Sequence, residues 1–252
     1  MAVSKLYKYL DADGGLKMLT NSNLQFTNAT KLNDPFDCHP ALIDFSNYPQ
    51  DLEGKKGYAL SLFQAMKCEG NRRKTWICSL SKVHDSMLMW AYYTNHKGVC
   101  VGLDMDKAKP YLDNIQCSVF RGALEIEVQY KNVIEKPDYF NDRIDHFRYQ
   151  YSTKAKEWEH EQEVRLLLIE PSQIFIPMGL PHDPKGKTVD WKEVRAYPII
   201  GAECFDSLYL GIKIDEENKA EIIKAALILN PDIKIYQMEI DPKAFRLKEN
   251  QI

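Results

Sequence analysis

The sequence predicts an α+β fold, with a mixed, mainly antiparallel β-sheet as its core and helices on its faces. Strand-like and helix-like segments both occur throughout the 252 residues, but they do not alternate strictly as they would in a doubly wound α/β protein. No repeat and no Pro-, Gly- or Ser-rich linker divides the chain. The hydrophobic share of 44% and the aromatic share of 11% exclude a disordered chain. We therefore expect a single α+β domain over residues 1–252.

In the first half of the chain, β-rich apolar runs predict strands, and apolar residues at helical spacing predict helices. The predicted strands are Val3–Tyr9, Leu24–Phe26, Thr75–Ser81 and Val99–Asp104. The predicted helices are a short one opened by Gly14 and Gly15, one around Tyr58–Cys68, and one marked by Met87, Trp90, Ala91 and Thr94. Asp85 or Ser86 suits the N-cap of the third helix, and Gly98 suits its end. Asn33–Asp37 predicts a turn, because Asn and Asp bond their own backbone and Pro fixes φ.

The second half of the chain continues the mixed pattern. Leu124–Tyr130 alternates as a half-buried strand. A long helix is predicted next, with one apolar stripe formed by Phe140, Ile144, Phe147, Tyr151, Ala155 and Trp158. The last third predicts a strand at Leu208–Ile214, a helix at Glu216–Leu229 and a strand at Ile233–Met238, with Asn230 and Pro231 as the turn.

Charge and cysteine content narrow the possible classes of protein. The net charge is -3 and the pI about 6.1, so the chain lacks the basic excess of a protein held to nucleic acid by phosphate contacts alone. Two basic groups, Arg72–Lys74 and Lys154 with Lys156 and Arg165, predict either small binding patches or solvated faces. The six cysteines include no CxxC pair and predict buried thiols. No segment resembles a signal peptide or a membrane span, so we expect a cytoplasmic protein without membrane contact.

The most informative segment spans residues 158–169, where acidic residues pass directly into an apolar, strand-like run. If the chain is extended here, side chains alternate between faces, and Glu161, Glu163 and Arg165 share one face. Two carboxylates beside a guanidinium are typical of an active site, although a structural ion-pair ladder produces the same pattern.

Three short segments resemble, in their order, the three-part motif of the ADP-ribosyltransferase superfamily. They are Leu6–Tyr9 on the first predicted strand, Ser79–Ser81 on a middle strand, and Glu161–Glu163 at the start of a late strand. The resemblance depends on this order and on Glu163–Leu167, which is similar to the strand that follows the catalytic glutamate in that superfamily. It implies an ADP-ribosyltransferase-like fold and NAD as a substrate, without a metal.

The resemblance also implies a role for each polar residue. Breaking the bond between nicotinamide and ribose builds positive charge on the sugar, which a nearby carboxylate stabilises. Glu163 would supply that carboxylate, and Glu161 would orient or deprotonate the acceptor. Ser79 and Ser81 would position the ribose and brace the glutamate. Four tyrosines are candidates for stacking on nicotinamide or a target base, or else for core packing: Tyr7, Tyr9, Tyr92 and Tyr93.

A wider resemblance covers nearly the whole chain. Six motifs look like those of a bacterial family catalogued as domain of unknown function 2971: Leu6–Tyr9, Leu32–Asp37, Ser79–Ser81, Met89–Tyr93, His96–Cys100 and Trp158–Arg165. This resemblance implies relatives but no activity. Lys8 stands where first strands of transferases commonly have arginine or histidine, so we expect Tyr7 to serve instead.

Two alternative hypotheses stay open. Four carboxylates could converge on Mg²⁺ and form a metal-dependent hydrolase or nuclease, namely Asp34, Asp37, Glu161 and Glu163. The chain could instead be a non-catalytic binding module of a stress or phage-defence operon. Under the transferase hypothesis, the expected partners are a macromolecular target (RNA, DNA or protein) and, for a toxin or phage-defence component, a neutralising antitoxin.

Overall fold

The computed structural model describes residues 4–49, 54–115, 122–170 and 193–252. Its described strands are β1 (Lys5–Leu10), β2 (Phe26–Asn28), β3 (Thr75–Ser81), β4 (Val99–Asp104), β5 (Leu124–Glu127), β6 (Gln129–Lys131), β7 (Thr153–Ala155), β8 (Glu163–Ile169), β9 (Arg195–Ala196), β10 (Phe205–Leu210), β11 (Lys234–Ile240) and β12 (Leu247–Gln251). Its described helices are α1 (Ala12–Asn21), α2 (Gly54–Arg73), α3 (Met87–Thr94), α4 (Met105–Asp113), α5 (His146–Ser152) and α6 (Glu216–Leu229).

Ten of these strands form one sheet, and β6 and β7 form a separate parallel pair. The main order is β12-β11-β10-β4-β1-β3-β2-β9, with β8 paired to β3 and β5 paired to β8. Every strand pair in the large sheet is antiparallel except β10 with β11, which α6 connects. The predicted α+β class with a mixed, mainly antiparallel sheet is therefore confirmed.

Helices cover both faces of the sheet, because the strands alternate apolar side chains between the two faces. On one face, the main core contains residues of α1, α4 and α6, such as Leu19 and Ile222. On the other face, Trp90 of α3 packs with Tyr9 and Tyr209. Tyr151 of α5 packs there too, in a third cluster. The candidate site lies on this second face.

The sheet is divided beside β3. Strand β8 pairs with β3 along its full length, from Thr75↔Ile169 to Ser81↔Glu163. On the opposite edge of β3, β1 is paired only at Tyr7↔Ser81, and β2 is paired at the other end of the strand. Between these contacts, β1 leaves β3, and the Lys8 ammonium crosses to donate to the Ser79 carbonyl at 2.9 Å. The separation of β1 from β2 opens a cleft in the sheet.

Most predicted elements are present with shifted ends. Three ranges match fully: the strands β3 and β4 and the helix α6. The second strand begins at Phe26 rather than Leu24, and the strand predicted over Leu208–Ile214 ends at Leu210. The single strand predicted over Leu124–Tyr130 is interrupted at Val128 and forms β5 and β6. Val3 lies outside the described residues.

The long helix predicted across residues 140–158 is wrong. Only α5 is an α-helix in this region; its N-cap Asp145 accepts the backbone N–H of Arg148 at 2.9 Å. The chain becomes extended at Thr153, with φ -90° and ψ 128°. It then forms β7 and a 3-10 helix over Lys156–Glu161. Helix α5 ends at Ser152 because the next residues form β7, which pairs with β6. This extended segment directs Lys154 to buried carboxylates, which it would not reach from a continuous helix.

The cysteines agree with the buried thiols that the sequence predicts. Five cysteines lie in the described residues, and all are buried and unpaired; Cys117 lies outside those residues. None of the helices in the described ranges combines the length and the apolar character needed to cross a membrane.

Two glycines allow a direct test of this packing. A Cβ at Gly98 would lie 2.1 Å from the backbone oxygen of Leu10, where β1, α3 and β4 meet. We expect Gly98→Ala to lower the free energy of unfolding by about 1–3 kcal/mol, because backbone cannot move aside easily. A Cβ added at Gly70 of α2 would have no atom within 4 Å. Gly70→Ala should therefore raise stability by roughly 0.5–1 kcal/mol in urea unfolding, and equal effects of both changes would contradict the packing.

Candidate active site

The division of the sheet forms a hollow of about 410 Å³, here called the central cleft. It contains all the residues predicted to form the site except Tyr92, namely Tyr7, Tyr9, Ser79, Ser81, Tyr93, Glu161 and Glu163. Tyr92 lines an adjoining hollow instead. The three segments that resemble the transferase motif, distant in sequence, thus meet at one surface.

The register of β3 and β8 explains part of this arrangement. Ser79 lies opposite Arg165, and Ser81 lies opposite Glu163, so these four side chains share one face. Glu161 reaches the same place by a different route from the one predicted. The chain is not extended before β8, because Glu161 ends a 3-10 helix and Gln162 is left-handed, with φ 44° and ψ 52°.

Arg165 is the centre of a buried ion cluster. Its guanidinium forms a two-bond pair with Glu163, from Nε to Oε1 and from Nη2 to Oε2, both at 2.9 Å. Nη2 also donates to Asp37 at 2.7 Å. Nη1 donates to the Tyr151 carbonyl at 2.9 Å and to the Cys38 sulfur at 3.3 Å. All five donors of this fully buried guanidinium are therefore used.

Lys154 is the second cation of the cluster. Its ammonium donates to Glu161 and, at 3.1 Å, to Glu163, and it lies 3.7 Å from Asp37. Burial alone would lower its pKa, but the surrounding carboxylates outweigh burial and raise the pKa above its ordinary value. Lys154 is therefore charged, and three carboxyl groups share two cations.

The surroundings of Glu163 favour its charged form. Burial alone would raise its pKa, but the charges of Arg165 and Lys154 outweigh burial, and with a hydrogen bond from Ser79 they lower the pKa well below its ordinary value. Arg165 and Lys154 together occupy three of the roughly four lone-pair positions of this carboxylate. Glu163 has little capacity left for a ligand.

Glu161 differs from Glu163 in its hydrogen bonding and in the direction of its pKa shift. One oxygen accepts from Lys154, and the other accepts from the Tyr93 phenol, so each oxygen keeps a free lone pair within the described structure. Burial raises its pKa, and Glu163 raises it further, against the opposing charge of Lys154. A carboxylate with free acceptor positions and a raised pKa suits proton transfer better than a saturated anion does.

The other predicted side chains form the walls of the cleft. The Tyr9 hydroxyl donates to the Val83 carbonyl at 3.1 Å, and its ring meets Trp90 edge to face. Tyr7 packs against His84, with ring centroids 5.1 Å apart. The Ser81 hydroxyl donates to the Glu161 carbonyl at 2.7 Å, so it fixes the backbone beside the carboxylate.

Two members of the cluster were not among the predicted site residues. Lys154 was predicted only as part of a basic patch, together with Lys156, which instead is exposed and pairs with Glu159. Asp37 was predicted as a turn residue or, alternatively, a metal ligand. Its neighbour Cys38 has a left-handed φ of 56°, and the Cys38 carbonyl accepts from Gln150 at 2.8 Å, which fixes the loop against the cluster.

The carboxylates of the metal hypothesis have other partners. Asp37, Glu161 and Glu163 are paired with Lys154 and Arg165, while Asp34 accepts the backbone N–H of Phe36 at 2.9 Å. Across the part of the chain that the structure describes, no group of three or more His, Cys, Asp or Glu residues is arranged to hold a metal ion. The geometry thus places ammonium and guanidinium groups among these carboxylates.

Comparison with known proteins agrees with the wider resemblance. A family model described as "Protein of unknown function (DUF2971)" matches residues 89–166. Over this range, the chain is similar to that family. The matched range contains Tyr93, Lys154, Glu161, Glu163 and Arg165 of the site. No curated protein and no solved structure matches the chain.

The two glutamates should differ in their contribution to stability. Glu163→Gln removes the anion that pairs with Arg165 through two bonds and leaves the buried guanidinium with Asp37 as the remaining anion, so we expect the free energy of unfolding to fall by about 3–5 kcal/mol. Glu161→Gln keeps an acceptor and leaves Lys154 between Glu163 and Asp37, so a loss of at most about 1–2 kcal/mol is expected. Urea unfolding of both variants measures the difference, and equal losses would show that Arg165 does not depend on Glu163.

The advantage of wild type over Glu163→Gln should also depend on pH. The pKa of Glu163 in the folded state is below its ordinary value of 4.5, which applies to the unfolded chain. Its contribution is therefore complete above pH 4.5 and is lost as the pH falls through the folded pKa. Unfolding free energies of wild type and variant, measured from pH 7 downward, should converge below pH 4.5; a constant difference would contradict the lowered pKa.

Proposed function

We propose that the protein is an NAD-dependent ADP-ribosyltransferase that modifies a macromolecule. The observation that supports this most directly is that β1, β3 and Glu161–Glu163 converge on the central cleft with two hydroxyls and two carboxylates. These hydroxyls and carboxylates, in this order of segments, resemble the transferase motif, although Lys8 stands where its first strand commonly has arginine or histidine. As further parts of the proposal, the protein acts in the cytoplasm as a toxin or phage-defence component, and a partner neutralises it.

In the proposed reaction, the bond between nicotinamide and C1 of the ribose breaks. Nicotinamide leaves with the bonding electron pair, and positive charge develops on the sugar. The cluster has three carboxyl groups and two cations, so it presents negative charge to that sugar. The acceptor then attacks C1 and gives up its proton.

The two glutamates take different parts in this chemistry. Glu161 accepts the proton of the attacking group, because it has free lone pairs and a raised pKa. Glu163 stays charged and keeps Lys154 and Arg165 in position, because its own acceptor positions are nearly full. The products are nicotinamide, the ADP-ribosylated acceptor and one proton.

The space available suits a dinucleotide. A second hollow of about 680 Å³, here called the side cleft, adjoins the central cleft and shares Lys8, Tyr9, Tyr93 and Arg195 with it. The two volumes lie within the roughly 300–1,000 Å³ of ligand sites. Lys8 and Arg195 are well placed to meet the negative diphosphate at the boundary between the two clefts.

The transferase hypothesis is tested with labelled NAD and cell lysate. We expect wild type to release nicotinamide and to label a macromolecule, and we expect Glu161→Gln to lose at least about 100-fold of this activity while it still folds. Glu159→Gln is the matched control, because Glu159 lies in the same 3-10 helix but is exposed and pairs with Lys156.

Thermal melts of the same samples separate loss of chemistry from loss of fold. If Glu161→Gln stays active, Glu161 is not the proton acceptor. If wild type releases no nicotinamide, the transferase proposal is rejected. If wild type loses its activity when EDTA removes metal ions, the result would favour the metal-dependent hydrolase instead.

A further inference from the structure

An aromatic recess lies beside the central cleft and has no role in the reaction described above. It is a hollow of about 450 Å³ lined by Asn33, Tyr92, Tyr93, Glu157, Trp158 and His160. Tyr92 is 67% exposed, so its ring is accessible to a ligand. The centroid of the His160 ring lies 5.8 Å from that of Tyr92 and 6.1 Å from that of Trp158.

Tyr93 connects the recess to the site of chemistry. Its side chain lines the aromatic recess, the central cleft and the side cleft, so it stands where the three hollows meet. Its phenol also donates to Glu161, the proposed proton acceptor. A group bound in the recess is thus separated from Glu161 by one phenol.

The contact between Lys154 and Trp158 favours a neutral planar ring over a cation. The Lys154 ammonium already lies 5.1 Å from the centre of the Trp158 ring. This contact uses the attraction of the ring for cations, so a second cation, such as a lysine of a protein target, gains little from the same ring. A nucleobase has a π-face that stacks on such rings without a charge of its own.

Cations border the same connected hollows. The side chains of Lys31 and Arg195 line the central cleft and have no hydrogen-bond or ion-pair partner within the described residues. Lys8 uses one donor on the Ser79 carbonyl, and two more remain. Without NAD, phosphate groups on either side of a stacked base would meet these charges, although the protein as a whole carries -3. With NAD bound, Lys8 and Arg195 face its diphosphate, and Lys31 remains for the strand.

We propose that the aromatic recess binds an unpaired nucleobase, so that the acceptor of ADP-ribose is a single-stranded nucleic acid. The role of the nucleic acid as acceptor rests on the proposed transferase function, whereas its binding in the recess does not require NAD. Stacking on Tyr92 or on Trp158 needs a base with a free face, and a base inside a duplex does not offer one.

The test measures binding of fluorescein-labelled DNA and RNA single strands of mixed sequence, and of the matching duplexes, without NAD. We expect single strands to bind wild type and Glu161→Gln more tightly than duplexes. Tyr92→Ala and Trp158→Ala should each weaken single-strand binding by roughly 5- to 100-fold, the range for loss of one base–aromatic stack. Tyr92→Phe should retain binding, since it keeps the ring. Tyr58→Ala, which removes a tyrosine 68% exposed on α2, is the matched control and should bind as wild type does.

Each result decides the inference. Because Trp158 also contacts Lys154, Trp158→Ala is interpreted only if its thermal melt is unchanged, whereas Tyr92 is exposed and gives the independent result. Unchanged binding by Tyr92→Ala, or no difference between single strands and duplexes, overturns the proposal. If NAD is consumed but the label resists nuclease and is removed by protease, the acceptor is a protein and the inference fails while the transferase stands. If strands bind through Tyr92 but nicotinamide is never released, the recess stands and the transferase fails.

Discussion

The pairing of Arg165 with Glu163 is the interaction on which the site depends. Arg165 is fully buried, and an unpaired guanidinium in that position would cost several kcal/mol. Its five donors reach groups from the Asn33–Asp37 turn region, from the end of α5 and from β8. Arg165 therefore holds these three parts of the chain together, in addition to pairing its charge with that of Glu163. The Arg165 bonds, with the bond from Lys154, occupy most acceptor positions of Glu163, whereas Glu161 keeps more free lone pairs.

A second constraint is the way the sheet divides. β8 holds β3 along its whole length, whereas β1 touches β3 at one position and then turns away. A continuous sheet would fill this space with paired backbone and would leave no hollow beside the cluster. The cleft is thus a consequence of strand pairing, and α3 then places Tyr93 over its edge, where the phenol bonds Glu161. Chemistry, space and the adjoining aromatic recess all follow from these two features.

Particular elements and residues show which features of the fold and site the local sequence pattern predicts. The ranges of β3, β4 and α6 were predictable because their apolar spacing agrees with their final burial. The helix predicted across residues 140–158 was not, because its apolar stripe is compatible with a helix and only pairing of β7 with β6 interrupts it. Lys154 was predicted only as part of a basic patch or solvated face, since a lysine usually lies in solvent, and its burial among three carboxylates was not predicted. The grouping of Glu161 with Glu163 was predicted on the assumption of an extended chain, and it arises instead through a left-handed Gln162.

By itself, the sequence determined the α+β class, the main strands and helices, and the candidate residues Tyr7, Ser79, Ser81, Glu161 and Glu163. These follow from periodicity, turn chemistry and motif order, which act over a few residues. Only the tertiary structure decided which cation meets which carboxylate, that Asp37 and Lys154 complete the cluster, and that Glu161 keeps free acceptor positions. Such facts depend on burial and on contacts between segments more than a hundred residues apart, as between Asp37 and Arg165. Local sequence does not encode these contacts separately, because the pKa and the bonding of a carboxylate are set by whatever the fold places beside it.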